Sequence, residues 1–432
     1  MNEATREQAA VAAARARASA GRPDLAEQAW LDVLREFPGN LDALNFLAVS
    51  AHARGRRDQA LALFERAVHA HPDDPVAWVN LAMVRRELGQ LDAALEAMRK
   101  GTALAPDLFA ARLRMGEILQ ALGRNDEALP VYFGAIMSAQ DAGQWRNPAT
   151  TPPDLRPLVQ HAIGLVNSGR RALFGKLLDP LRDQHGGAAL ARVEQCISIY
   201  LGELPANYPD PRQKPTFLYF PGLPTQAFFS RDLFPWYAPL EEAQPAIRDE
   251  MLAVMAEDAG FEPFLGKSGG IDNLLDNKAG ATPVWDAYFF ERHGHRNTAN
   301  AARCPVTAAA IDAAPLCRIR DHSPEVCFSK LTGGSHILPH RGVTNTRLTT
   351  HLPLVVPEGD LALHVSGEMQ RWQEGRCFSF DDSFEHEAWN RSDKTRVVVL
   401  MDAWNPFLTE VERDALTTLI GGIGDFNRAA GR

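Results

Sequence analysis

The chain has 432 residues, 45% of them hydrophobic and 23% charged, a composition that excludes a disordered polymer and allows about three domains at roughly 150 residues each. Lys and Arg number 45 against 54 Asp and Glu, for a formal net charge of −9 with no long basic block. That balance excludes a general nucleic-acid binder and a charge-held membrane anchor. No apolar run approaches the roughly 20 residues needed to cross a bilayer, and the opening MNEATREQAA has no apolar signal stretch. The five cysteines (Cys196, Cys304, Cys317, Cys327, Cys377) show no CxxC spacing, which suits a reducing compartment. The expectation is a cytoplasmic protein.

The first third repeats with a period of 34. Pro38, Pro72 and Pro106 follow it, as do Gly21, Gly55, Gly89 and Gly123, then Ala26, Ala60, Ala94 and Ala128, then Ala14, Ala48, Ala82 and Gly116. The small residues let two antiparallel helices approach closely, the Gly supplies a left-handed C-cap after the first helix, and the Pro ends the second. The unit AWVNLAMVRRELGQLDAALEAMRKGTALAP, from Trp78 to Pro106, resembles the tetratricopeptide repeat. Four such units over 7–142 predict an α-solenoid. Its concave face implies a peptide or protein partner, with a dimerisation or structural module as the other reading.

Residues 143–157, rich in Pro and polar side chains, read as a boundary. Helical periodicity returns over 158–203, so that 143–213 is expected to be linker and connecting helices. From about Lys214 the composition turns aromatic and β-branched, with one amphipathic helix expected at 237–257. After 325 the strands VCFSKL, TRLTTHLPLVV, LALHV, RCFSF, HEAWN and TRVVVLMDAW alternate with turns, the pattern of an antiparallel sandwich or barrel, of which a jelly roll most often holds a metal at its mouth. The final stretch, 413–432, is expected to be a tail.

Strand phase sorts the polar side chains. Arg347, Thr349 and His351 share one face, and Arg396 lies with Val398 and Leu400 in an apolar strand. A buried arginine there calls for an anion; a salt bridge to an acid, or an edge position facing water, are the other readings. His293 and His295 sit in a polar loop with no partner run. His336 and His340 have helical spacing, but Gly333, Gly334 and Pro339 argue against a helix. The turn residue His340, the later strand residue His386 and Arg396 together have the order of a non-haem iron site, in which two imidazoles bind Fe(II) and the guanidinium clamps a carboxylate of 2-oxoglutarate.

The segments PHRGVTNTRLTTHLPLVVPEGD and RWQEGRCFSFDDSFEHEAWNRSDKTRVVVLMDAWNP resemble the catalytic core of the aspartyl/asparaginyl β-hydroxylase family. YFPGLPTQAFFSRDLFPW extends the likeness over 214–412, and animal members also carry tetratricopeptide repeats upstream. The resemblance implies a double-stranded β-helix (jelly roll) with flanking helices, within a multidomain α plus β chain. It implies His340 and His386 as iron ligands, Arg396 and Ser329 on one 2-oxoglutarate carboxylate and His351 on the other, with Arg347 near the substrate carboxylate and Trp285 lining the pocket. Ordinary strand and core packing is the other reading of Ser329 and Trp285.

Two departures matter. Gly342 stands where the usual facial triad has a carboxylate, which is itself a trait of this family. Losing that ligand weakens Fe(II) binding and leaves two coordination positions after both imidazoles and a bidentate 2-oxoglutarate. Thr349 replaces an arginine of animal members and removes a cation near the substrate. Asp381, Asp382 and Glu385 are read as solvated or supporting acids around His386. The implied activity is a dioxygenase using Fe(II), 2-oxoglutarate and O2 to β-hydroxylate Asp or Asn of a peptide or protein presented by the repeats. A small-molecule (amino acid or lipid) hydroxylase, a halogenase using room left by Gly342, and a non-catalytic repeat adaptor are the alternatives.

Overall fold

A computed structural model describes residues 2–19, 23–257, 260–264, 274–277 and 284–432. The chain forms two compact units: one runs to Arg170 and takes in Phe426–Arg432, the other is Arg171–Asp425.

In the first unit eight helices follow one another: α1 (Glu3–Ser19), α2 (Pro23–Glu36), α3 (Leu41–Ala53), α4 (Arg57–Ala70), α5 (Pro75–Glu87), α6 (Leu91–Leu104), α7 (Phe109–Ala121) and α8 (Asn125–Asp141). They pack as consecutive antiparallel pairs, which bears out the tetratricopeptide reading. Gly55, Gly89 and Gly123 each adopt φ +74° just after the first helix of a pair, a conformation glycine reaches without a Cβ penalty. Gly21 lies outside the described residues. The small-residue positions are closed by packing: Ala48, Ala60, Ala82 and Ala94 are fully buried, and a Cβ on Gly116 would meet the ring of the fully buried Tyr132.

Next come α9 (Arg156–Leu177), α10 (Asp179–His185) and α11 (Ala191–Tyr200). The helix expected at 237–257 is two, α12 (Tyr237–Glu242) and α13 (Gln244–Ala256), because Pro245 enters at the start of a new helix. After α14 (Thr298–Arg303) and α15 (Pro305–Asp312), the chain closes with α16 (Glu410–Ala429). Residues 413–432 are therefore largely helical rather than a tail, with Leu416, Leu419, Ile420 and Ile423 buried. Their apolar 3.6-residue spacing was the sign.

The strands of the second unit are β1 (Glu262–Pro263), β2 (Leu275–Asn277), β3 (Trp285–Arg292), β4 (His295–Arg296), β5 (Val326–Leu331), β6 (Ser335–His340), β7 (Arg347–Val355), β8 (Leu361–Val365), β9 (Glu368–Gln370), β10 (Phe378–Phe380), β11 (His386–Asn390) and β12 (Arg396–Trp404). Among the described residues they make two antiparallel sheets. One has the order β1-β3-β5-β12-β7-β10 with β4 on β3, and the other is β2-β6-β11-β8-β9. Alternation along the strands sorts two cores. Val397, Val399 and Met401 pack with Ile247, Met251 and Ile311 of α13 and α15, whereas Val398 and Leu400 meet Leu363 and Ala388 of the second sheet. β12 is buried on both faces, which accounts for its nearly continuous apolar run.

Gly116→Val is expected to lower the stability of the helical repeats by about 2 kcal/mol, because overpacking a closed core costs roughly 1–3 kcal/mol and Val recovers only a few tenths through helix propensity. Thermal unfolding followed by circular dichroism checks this; an unchanged helical transition contradicts the packing.

Candidate functional site

β6 and β11 pair antiparallel with His386 directly opposite His340. The two rings are 4.1 Å apart between centroids. His340, expected in a turn, is instead the last residue of β6, and this strand pairing is what brings it to His386. Each ring is locked by its own strand: Nδ1 of His340 donates to the Leu338 carbonyl at 2.8 Å, and Nδ1 of His386 to the Phe384 carbonyl at 3.0 Å. A carbonyl accepts only, so each Nδ1 carries the proton and each Nε2 keeps its lone pair. Burial, then the neighbouring His340, pushes His386 down to about 3, and burial also lowers His340. Both imidazoles are neutral near pH 7, the form that ligates a metal.

Across from them, β12 delivers Arg396, which is 2% exposed. Its Nη1 donates to the Ser329 carbonyl at 3.2 Å, its Nε has no partner, and no acid pairs with it among the described residues. Burial drags this guanidinium down to about 9. The two other readings of this residue, a salt-bridged or a water-facing arginine, are not what the fold builds. Ser329 lies opposite Val398 and Ala287 in the ladder, and its Oγ accepts from Trp285 Nε1 at 3.0 Å. Trp285 in turn stacks on Phe264, with centroids 4.2 Å apart. On β7, Arg347, Thr349 and His351 share one face as expected, and all three line the same cavity of about 150 Å³ as the imidazoles, Arg396, Ser329 and Trp285.

Of the three acids around His386, only Asp382 departs from the solvated or supporting role expected. Glu385 is exposed and pairs with Arg341 at 3.0 Å, and buried Asp381 accepts from Gln213 and Ser383. Asp382, however, is buried and lines the cavity, with one carboxylate oxygen unpartnered. Its carboxylate fills the space beside Gly342, where any Cβ would overlap it. Arg347 is paired with the buried Asp402, which holds its charge against burial, and its Nε is unpartnered. Among the described residues no group of three His, Cys, Asp or Glu side chains is set to share a metal. His293 and His295 go instead to Glu325 at 2.7 Å and Asp321 at 2.8 Å, and His336 pairs with Glu387 on the outer face. Glu325 and Asp402 escaped the sequence reading, yet strand phase held them: Glu325 precedes Cys327 and Ser329 at alternate positions, and Asp402 follows Arg396 and Leu400.

Residues 241–406 match the family described as aspartyl/asparaginyl β-hydroxylase, and 11–75 and 51–108 match tetratricopeptide repeats. The human aspartate β-hydroxylase domain-containing protein 2 is 33% identical over 306 residues, 68% of this chain and 77% of that protein. The chain belongs to the aspartyl/asparaginyl β-hydroxylase family. Human aspartyl/asparaginyl β-hydroxylase is 25% identical over 92% of this chain and 53% of its own length. The ornithine lipid ester-linked acyl 2-hydroxylase of Rhizobium tropici is 35% identical over 40% of this chain and 58% of its own length. The chain thus spans somewhat over half the length of these two relatives. The family match contains both imidazoles, Arg396 and every acid of the cavity, so the β-hydroxylase likeness and the cavity coincide.

Glu325, at the edge of this cavity, accepts from the His293 backbone N–H at 2.9 Å. Burial, and then the Asp402 charge, raise its carboxyl to about 7. The folded chain therefore holds a proton that the unfolded chain releases, and stability falls as pH rises from the ordinary carboxyl range through about 7. Glu325→Gln removes this dependence while keeping an acceptor. The melting temperature of the variant relative to the unsubstituted protein is expected to be higher at pH 8 than at pH 5, and an equal difference at both values contradicts it.

Proposed function

We propose that this chain is an Fe(II)- and 2-oxoglutarate-dependent dioxygenase, its two facing sheets forming a double-stranded β-helix, or jelly roll. In this reading 7–142 is the repeat module, 143–213 connects, and 214–412 is the oxygenase domain. The substrate is an Asp or Asn residue of a peptide or protein presented by the repeats, hydroxylated at its β-carbon. Five buried, unpaired cysteines support a reducing, cytoplasmic setting.

The observation that carries the reading is Arg396, a buried guanidinium with an unpartnered Nε and, among the described residues, no acid beside it. A cation so placed is costly unless an anion arrives, and a dicarboxylate is the anion that fits a guanidinium flanked by metal-binding imidazoles. His340 and His386 would hold the iron through Nε2, Arg396 and Ser329 would take one carboxylate, and His351 the other. When bound, iron and 2-oxoglutarate with O2 supply the oxidation of an unactivated C–H bond to an alcohol, giving succinate and carbon dioxide. The protein's share is orientation and exclusion of water: carbonyls fix both imidazole tautomers, Trp285 fixes the Ser329 hydroxyl, and the apolar walls keep the cavity dry. The Asp382 carboxyl already fills the space beside Gly342 that a chloride would need, which weighs against halogenation.

A second reading rests on a larger chamber of about 610 Å³ that shares Phe264, Glu325 and Arg347 with the first. Phe217, Ile319, Val343 and Ile420 give it apolar walls. Such a chamber suits an acyl chain, and the Rhizobium tropici relative is named for acyl hydroxylation.

The test is anaerobic mixing with Fe(II) and 2-oxoglutarate, followed by succinate assay in air. A visible charge-transfer band and succinate formation are expected. Arg396→Met should weaken 2-oxoglutarate binding by about 2–5 kcal/mol, ~30-fold or more, with Fe(II) binding retained, while His386→Ala should lose iron and succinate. Absence of the band in the unsubstituted protein, or normal turnover in His386→Ala, overturns the reading.

A further inference from the structure

Trp372, on the segment between β9 and β10, is 6% exposed and does not line the cavity. It nevertheless touches two residues that do. Its indole Nε1 donates to Nδ1 of His351 at 3.1 Å. The Arg396 guanidinium carbon lies 4.7 Å from the centre of its ring. No other side chain among the described residues is bonded to His351, and no acid neutralises Arg396.

We propose that Trp372 is the positioning residue of the 2-oxoglutarate site, one indole setting both the tautomer of His351 and the plane of Arg396; this rests on the dioxygenase reading above. An indole N–H only donates, so Nδ1 of His351 is the acceptor and carries no proton. Burial holds the ring neutral, which leaves its single proton on Nε2. His351 thus offers a donor from its other nitrogen, the one left free of partners among the described residues, and a carboxylate is the acceptor that donor suits. His340 and His386 carry the opposite tautomer, because carbonyls meet their Nδ1 atoms. The same amino acid is therefore a metal ligand at two positions and a hydrogen-bond donor at the third, and the group facing Nδ1 decides which. Edge-on contacts from Phe378 and Phe380, each 5.4 Å from the His351 ring centre, hold the ring against rotation. Beneath Arg396 the indole face supplies a cation–π contact in a desolvated setting without consuming any guanidinium N–H. Apart from the Nη1 hydrogen given to the Ser329 carbonyl, its donors stay available to an incoming anion, which an acidic partner would have prevented.

Two measurements on the full-length protein test this. The first is 15N NMR of histidine-labelled protein without metal, with His351 assigned by loss of its signal in His351→Gln. His351 is expected as the Nε2–H tautomer, and an Nδ1–H tautomer overturns the proposal whatever any variant does. The second is calorimetric titration of 2-oxoglutarate into protein loaded with Zn(II), which cannot turn over. Trp372→Phe, which keeps a ring under Arg396 and removes the N–H, is expected to bind about tenfold more weakly, the loss of one buried hydrogen bond. In its His351 spectrum the Nδ1–H form should become populated. Under turnover the KM for 2-oxoglutarate should rise by a similar factor with kcat within about twofold, a split that general loosening of the fold does not give. Trp372→Leu removes the stack as well and should bind more weakly still. Affinity in Trp372→Phe equal to that of the unsubstituted protein overturns the proposal. If the unsubstituted protein itself fails to bind 2-oxoglutarate, the dioxygenase reading falls, while the tautomer measurement separately decides the Trp372–His351 bond.

Discussion

The cavity is organised around a desolvated guanidinium that the fold leaves unneutralised. Arg396 is buried in the middle of a sheet, held by one carbonyl and one indole face, with no carboxylate among the described residues to balance it. Taking such a charge from water costs several kcal/mol even after relaxation, and a protein optimised for stability alone would place a methionine or leucine there. The contrast lies on the neighbouring strand β7, where Arg347, largely buried too, is paired with Asp402. One arginine is a closed pair and the other is left open. The difference lies in whether an acid at the right phase of a strand reaches it.

The imidazole pair follows from strand pairing. An antiparallel ladder sets directly opposed residues ~4.5–5.5 Å apart at Cα, so placing histidines at the paired ends of β6 and β11 makes their rings converge without help from a loop. The irregularity between His386 and Ala388 is the kind of local bulge that re-aims a side chain at a site. Asp382 then occupies the space that Gly342 vacates. The negative charge missing from one position is supplied next to it from the β10–β11 connection.

Much of this was legible before any coordinates. The 34-residue period is a packing constraint written in small residues, and it read out directly as paired helices. Strand phase placed Arg347, Thr349 and His351 on one face of their strand, and Arg396 on the face of Val398 and Leu400 in another. Three things were less legible for physical reasons. β6 was missed because SHILPH lacks clean alternation and its Pro339 reads as a breaker, although a strand end tolerates proline. Asp382 was read as a supporting acid because its burial depends on the absence of a Cβ at Gly342, a tertiary fact. Trp372 sits on an irregular segment where no periodicity announces which way a side chain points.

The charge balance at the neck between the two chambers bears on substrate choice. Glu325, Asp382 and Asp402 line the smaller cavity around Arg347, Arg292 on the wall of the larger chamber is already paired with Glu262, and Thr349 adds no cation. A carboxylate entering there meets these acids, while the unpartnered Nε of Arg347 is itself buried. Burial keeps Glu325 and Asp382 partly protonated, with both carboxyls raised to about 7, which softens the repulsion near neutrality and sharpens it as pH rises. An amide escapes this repulsion, since its N–H2 can donate to the acids.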